Sequence, residues 1–194
     1  MLNDAIYYKS YETIGGEKFM AAAAANPLHG RLLFKLARVL DDYTFDHKNG
    51  YVFTDNVDVY LPDGNLFRPD LTVVTKETAG IINWKKAIFG VPDMVVEVLS
   101  PSTRVRDLTV KKDAYESNGV KEYWIVDPCM KIVDVYVLRD GKFEFDGEYF
   151  KYSKSELDLL TDEEKAAERT DIKVGIFDDL FVKVDDIFSW GFED

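Results

Sequence analysis

Two short stretches carry the residue types from which a hydrolytic metal site can be built. The first is Arg68-Pro69-Asp70. The second is Glu97-Val98-Leu99-Ser100-Pro101-Ser102-Thr103, followed by Asp107 and Lys111. They put one acid at a strand start, a second acid on an apolar strand and a lysine on the next helix. Two carboxylates and an amine on adjacent elements can hold a divalent metal and an attacking water. That is the equipment of metal-dependent phosphodiester cleavage.

Each of these residues also has an ordinary alternative. Asp70 follows Pro69, which keeps the preceding chain extended. Most aspartates at strand starts bond a turn amide or face water. Glu97 sits between Val95-Val96 and Val98-Leu99, where a carboxylate is costly unless it is paired or bound to metal. A structural ion pair with an arginine or lysine would also satisfy it. The Val98 carbonyl, next to the strand carboxylate, can serve as a further ligand. Lys111 shares a helix face with Asp107 and Tyr115, each four residues away, and faces of this kind are commonly solvated and salt-bridged. Lys112 points about 100° away from Lys111, and spacing does not choose between them. His29 and His47 are the only histidines, and neither has a partner at zinc-ligand spacing. Phosphate-binding glycine loops and a Gly-x-Ser-x-Gly nucleophile elbow are both absent from the sequence.

The elements that must position these residues follow from periodicity and turn chemistry. A leading segment, Glu12–Ala25, turns at Gly15-Gly16 and carries a short strand near Lys18–Ala21. Asn26 caps an amphipathic helix over Pro27–Tyr43, whose Leu28, Leu32, Leu36, Val39, Leu40 and Tyr43 recur at helical spacing. Tyr51–Leu61 alternates as one strand, ended by the Pro62–Asn65 turn. Asp70–Thr75 is a short strand, and Asp93–Leu99 is an apolar run typical of a strand covered on both faces. Asp107–Ser117 is a helix closed at Asn118-Gly119. Strands follow at Glu122–Val126, Ile132–Leu138 and Lys142–Tyr149, the last two joined by an Asp140-Gly141 turn. Ser155–Arg169 is predicted as a solvated helix capped by Ser155 or Thr161. Two strands, Ile172–Val174 and Leu180–Val184, and a helical turn, Asp185–Trp190, close the chain. Strand–helix–strand alternation around Glu97–Val126, flanked by hairpins, predicts an α/β (α+β) fold with a mixed sheet and helices packed on it.

A chain of 194 residues predicts one domain over 1–194. The acidic segment 155–194 is expected to pack as an extension of it. The longest apolar run, Phe19 to Ala25, is too short to span a bilayer. Met1-Leu2-Asn3-Asp4 lacks a basic leader, so no signal peptide is expected. Cys129 is alone, so no internal disulfide is possible and a cytoplasmic location is expected. The net charge of −12 is unevenly spread: Glu156–Asp194 holds 13 acids and 4 bases, whereas Arg104–Lys112 holds 4 bases and 1 acid. The latter forms a local basic edge that could face phosphates. Strong acidity elsewhere weakens non-specific affinity for nucleic acid.

The sequence resembles the Uma2 family of restriction-endonuclease-like proteins, also called DUF820. The resemblance rests on Phe67-Arg68-Pro69-Asp70-Leu71-Thr72-Val73-Val74, on Val91–Thr103 with Glu97 inside it, on Asp107, Lys111 and Tyr115, and on Gly119–Pro128. It extends upstream to Tyr11-Glu12, Gly16-Glu17 and Pro27-Leu28-His29-Gly30, and more weakly downstream to Ile176-Phe177. It implies a PD-(D/E)XK fold: a mixed central sheet, flanking helices and a metal site at one sheet edge. Asp70 matches the first acid of that pattern and Glu97 the second. The lysine usual two residues after the second acid is replaced by Leu99, and the family's lysine on the next helix maps to Lys111. Glu17 or Glu12 matches an N-terminal acid that some such nucleases use. The implied activity is Mg²⁺- or Mn²⁺-dependent hydrolysis of DNA, with the metal on Asp70, Glu97 and the Val98 carbonyl and Lys111 orienting the water or stabilising charge on phosphorus. Asp107 and Tyr115 would be accessory. A homodimer would suit two-fold duplex DNA, with the Ile132–Tyr149 hairpin as a candidate face. The competing expectations are a non-catalytic DNA- or protein-binding module on the same fold and a small-nucleotide phosphodiesterase.

Overall fold

In the computed structural model, which describes residues 11–20, 26–54 and 57–189, the first element is a hairpin of β1 (Tyr11–Ile14) and β2 (Glu17–Met20). It turns through Gly15 and Gly16 at φ of 58° and 85°, the region glycine enters without steric cost. The Ala21–Ala25 run lies outside the described residues. Helix α1 (Pro27–His47) begins as the sequence predicts. The Asn26 side chain accepts the His29 N–H, and Pro27 occupies the first turn, a cap contributing about 1 kcal/mol. The helix runs one turn past Tyr43 and ends at Lys48, which adopts φ of 53°.

The stretch expected as one strand from Tyr51 to Leu61 is two. Strand β3 (Gly50–Thr54) and β4 (Val59–Tyr60) belong to different sheets, and Asp58, just before β4, pairs with the Arg68 guanidinium. Tertiary pairing overrides a continuous alternation here. The chain continues through β5 (Leu66–Phe67), β6 (Leu71–Thr75), a 3₁₀ turn (Ala79–Ile81), β7 (Ile82–Asn83), β8 (Ala87–Phe89) and β9 (Met94–Val98). The crossover helix starts earlier than expected and is not uniform. A short α2 (Arg104–Arg106) passes through a π-helical turn (Asp107–Lys111) into α3 (Lys112–Asn118), closed by Gly119 at φ of 88°. Strands β10 (Glu122–Asp127), β11 (Ile132–Arg139) and β12 (Lys142–Phe150) follow.

The central sheet is ordered β12-β11-β10-β9-β6-β3, with β9 and β10 parallel and every other neighbouring pair antiparallel. A second sheet, ordered β2-β1-β5-β4-β8-β7, is built from the short strands. Every residue of β6, β9 and β10 is buried, as a doubly covered strand requires. Alternate side chains go to opposite faces. Met94, Val96 and Val98 join Leu32, Leu36 and Leu40 of α1, while Val95 and Leu99 join Tyr115, Phe67 and Ile88 of the crossover helix and second sheet. Alternation therefore sends Glu97 to the second of these faces.

The acidic C-terminal segment holds two short helices, α4 (Lys154–Leu157) and α5 (Asp162–Ala167), where one helix was expected. Ser153 caps the first, in place of Ser155, and Thr161 caps the second. Each forms a capping box with the glutamate three residues on, Glu156 and Glu164. Each box starts its own helix, which is why the segment does not wind as one. Beyond it, β13 (Asp171–Lys173), β14 (Phe181–Lys183) and α6 (Val184–Phe188) lay Ile172, Val182, Ile187 and Phe188 onto the α1 side of the core. Trp190 lies outside the described residues. Among those residues no helix is long and apolar enough to cross a membrane.

Candidate active site

Asp70 stands where the chain crosses from the second sheet to the central one, between β5 and β6. The β6–β9 register sets Leu71 opposite Val96, so one step further places Asp70 opposite Glu97 on the same face. The Asp70 carboxylate accepts the Val98 N–H at 2.6 Å through Oδ2, and its Oδ1 lies 3.3 Å from His29 Nε2. His29 reaches it from the first turn of α1, held there by the Asn26 cap. The sequence offers His29 no partner at ligand spacing; the partner is supplied by packing of α1 on the sheet.

Glu97 is 2% exposed. Its Oε1 accepts the Tyr115 hydroxyl at 2.8 Å and the Lys111 ammonium at 3.0 Å. Lys111 Nζ also lies 3.2 Å from Glu12 Oε1 and 3.2 Å from Asp107 Oδ1. The two N-terminal acids separate here. Glu12, on β1, enters the buried cluster, whereas Glu17 is exposed beside the hairpin turn and lies outside it. The two lysines separate as well: Lys111 is buried, and Lys112 lies over the Tyr136 ring at 3.5 Å. Arg106, absent from the expected set, reaches Glu12 Oε2 at 3.7 Å.

The π turn explains how both cations meet one carboxylate. In regular α-winding, residues five apart are about 140° apart around the axis. Bonding of the i to i+5 kind brings such residues over one another. Arg106 and Lys111 are five apart across that turn and both face Glu12.

Burial governs the electrostatics. It pushes Glu97 well above the usual carboxylate range; Asp107, Asp70 and Glu12 push the same way, and Lys111 opposes them. Asp107 is raised mainly by burial, against Lys111. Burial alone would drive Lys111 down, but Glu97, Asp107 and Glu12 outweigh it and hold the ammonium charged. The cluster sets four carboxyl groups, Glu12, Asp70, Glu97 and Asp107, against two cations, Lys111 and Arg106. Two of its buried polar atoms, Asp107 Oδ1 and Arg106 Nη1, lack a hydrogen bond of good geometry, although each lies within ion-pair reach of a partner or close to it.

A hard divalent cation fits this chemistry. Its donors would all be oxygens, it would favour the ionised forms of the buried carboxyls, and Mg²⁺ characteristically takes one or two carboxylates and keeps its remaining waters. Among the described residues, no three or more His, Cys, Asp or Glu side chains are grouped as a preformed cage. A two-carboxylate site completed by a backbone carbonyl and water needs none.

The expected basic edge is not an open patch. Arg104 pairs with Asp127 at 2.6 Å, Arg106 and Lys111 turn inward, and Lys112 covers Tyr136.

The fold is shared with a solved structure, described as a putative nuclease belonging to DUF820 from Anabaena variabilis. It is 16% identical, with a TM-score of 0.65 over 94% of this chain and 91% of that one. No curated protein matches the sequence. The sequence model of the Uma2 family, described as "Putative restriction endonuclease", matches residues 7–161. That span includes Glu12, Asp70, Glu97, Asp107, Lys111 and Tyr115, and the chain belongs to the Uma2 family.

Proposed function

We propose that the protein is a divalent-metal-dependent endonuclease that hydrolyses DNA phosphodiester bonds, with Asp70, Glu97 and Lys111 as its catalytic residues. The observation that supports this is the make-up of the buried cluster: four carboxyl groups, all hard oxygen donors, against two cations, at the end of two central strands. Asp70, Glu97 and the Val98 carbonyl would hold Mg²⁺ or Mn²⁺. When bound, the ion supplies neutralisation of phosphoryl charge and acidifies water.

The other steps belong to the chain. The Val98 N–H fixes the Asp70 carboxylate, and the Tyr115 hydroxyl fixes that of Glu97. Lys111, kept charged by three carboxylates, orients the attacking water or donates to a non-bridging phosphate oxygen as charge develops there. Glu12 and Asp107 are positioning residues that hold its ammonium beside Glu97.

The test is cleavage of supercoiled plasmid and of single-stranded DNA with Mg²⁺ or Mn²⁺. Wild type is compared with Glu97→Gln and Asp70→Asn, each checked for folding by circular dichroism. The expected result is metal-dependent cutting that falls on the order of a hundredfold or more in both variants. Cutting that survives in folded Glu97→Gln, or a folded wild type that cuts no substrate, would overturn the proposal.

A further inference from the structure

The edge of the molecule beside Asp70 carries an aromatic surface that the hydrolytic cluster does not use. Trp84 is 68% exposed, on the turn between β7 and β8. Its ring lies 5.0 Å from that of Tyr51, edge-on, and 6.0 Å from that of Phe53. A second pair, Tyr60 and Phe89, is stacked at 5.1 Å with the rings 12° from parallel, and both rings are partly exposed. Between Trp84 and Phe89 lies an open cavity of about 450 Å³, bordered by Ile81, Ile82 and Lys85. Strands β3 and β7 are the terminal strands of the central and second sheets, so the rings sit where two sheet edges meet.

The charge here opposes that of the whole chain. Residues Lys76 to Lys86 contain three lysines and one acid in a protein of net charge −12. Lys85 and Lys86 follow Trp84 directly, are exposed and have no ion pair among the described residues. Exposed rings interleaved with free cations are the equipment of a single-strand platform, on which bases stack and lysines meet the backbone. A protein-docking face of similar size would not call for unpaired lysines beside its central ring.

Register connects the surface to the candidate site. Phe53 pairs with Thr72 and Tyr51 with Val74, so both share the sheet face of Asp70, which is two residues from Thr72. The step from Phe53 to Asp70 is therefore about 8 Å, one strand spacing across and two residues along. We propose that the Trp84–Tyr51–Phe53 surface, with Lys85 and Lys86, binds an unpaired stretch of nucleic acid by base stacking and leads its backbone toward Asp70. The substrate of the cluster then has single-stranded character near the cut. This rests on the nuclease proposal only in taking the ligand to be nucleic acid.

The probe is a fluorescein-labelled oligothymidylate, titrated in EDTA so that binding is read without cleavage. Wild type is compared with Trp84→Ala, Trp84→Phe and the double variant Lys85→Ala/Lys86→Ala. Trp84→Ala is expected to weaken binding on the order of tenfold, and Trp84→Phe to retain most of it, because a ring is kept. The double lysine variant should lower the slope of log affinity against log salt by roughly 1.4, two phosphate contacts on a single strand. Sedimentation of wild type and Trp84→Ala completes the experiment. Oligonucleotide affinity unchanged in Trp84→Ala overturns the proposal, as does a wild type that binds none. A Trp84→Ala variant that changes oligomeric state instead would mark this as a contact between copies and also overturns it. The nuclease proposal fails separately, through loss of plasmid cutting. Stacking without cutting would leave the platform standing, and cutting without stacking would remove only the platform.

Discussion

Lys111→Met is expected to lose about 3–5 kcal/mol of stability, the usual consequence of removing one partner from a buried ion pair. The size follows from what is left behind. Glu12, Glu97 and Asp107 are each less than 5% exposed, and all three lean on the same ammonium. Arg106, at 3.7 Å from Glu12, stays beside them but reaches that carboxylate alone at ion-pair distance. Urea denaturation reads the change as a fall in midpoint at constant slope. Adding Glu97→Gln to Lys111→Met removes one of the repelling carboxylates and should recover part of the loss, with a coupling of roughly 0.5–3 kcal/mol. Burial raises both Glu97 and Asp107. Their protonated forms favour the folded state below the ordinary carboxylate range, and that contribution is lost as pH rises, so the deficit should shrink toward acid pH. An unchanged midpoint in Lys111→Met would mean the three ion pairs are not made in solution.

The second large effect concerns a carboxylate remote from the candidate site. Glu122 opens β10 and is fully buried. It accepts the Trp124 indole N–H at 2.6 Å and the Ile176 N–H at 3.1 Å. It thereby pins the turn between β13 and β14 to the central sheet. A Cβ at Gly175 would stand 3.2 Å from its Oε2, close enough that the carboxylate would have to give by a few tenths of an ångström. Burial, helped by Asp146, pushes Glu122 from 4.5 up to about 7, against the hydrogen bonds from Trp124, Ile176 and Gly175.

Because the folded value is the higher one, the folded chain holds a proton that the unfolded chain has released between those limits. The contribution is therefore fully present below pH 4.5 and is lost as pH rises through about 7. It amounts to about 3 kcal/mol. Glu122→Gln cannot titrate and offers one acceptor oxygen where the carboxylate offers two. The stability difference between wild type and Glu122→Gln should favour wild type most near pH 4.5 and shrink by about 3 kcal/mol by pH 8. A difference that does not vary with pH would show that Glu122 is ionised throughout.

Local signals made much of this legible. An acid inside Val-Val-Glu-Val-Leu is expensive unless something holds it, and Glu97 is held. Asn26-Pro27 started α1 and Gly119 closed α3 because caps are decided by the residues themselves. The partners were not legible, because they come from packing. Glu12 arrives on a strand of the second sheet, His29 from α1, and Arg106 through a π turn that residue spacing does not announce. The choice between Lys111 and Lys112 depended on which helix face the second sheet covers. Glu122 had the same signal as Glu97, an acid on a strand of buried apolar residues, but its position at the strand end disguised it. Tyr51–Leu61 shows the opposite failure: alternation continued while the chain changed sheets.

The π turn has a consequence for how the chain tolerates changes of length. A loop on the surface absorbs a gained or lost residue with little effect. Between Asp107 and Lys111 a single deletion would let the helix wind regularly from Arg104 to Asn118, a locally better helix. Arg106 would then stand four residues from the lysine, about 40° around the axis, so both cations would still face Glu12. A substitution that forced regular winding at the present length would instead set the two cations about 140° apart, so this turn absorbs the loss of a residue more readily than the loss of its winding.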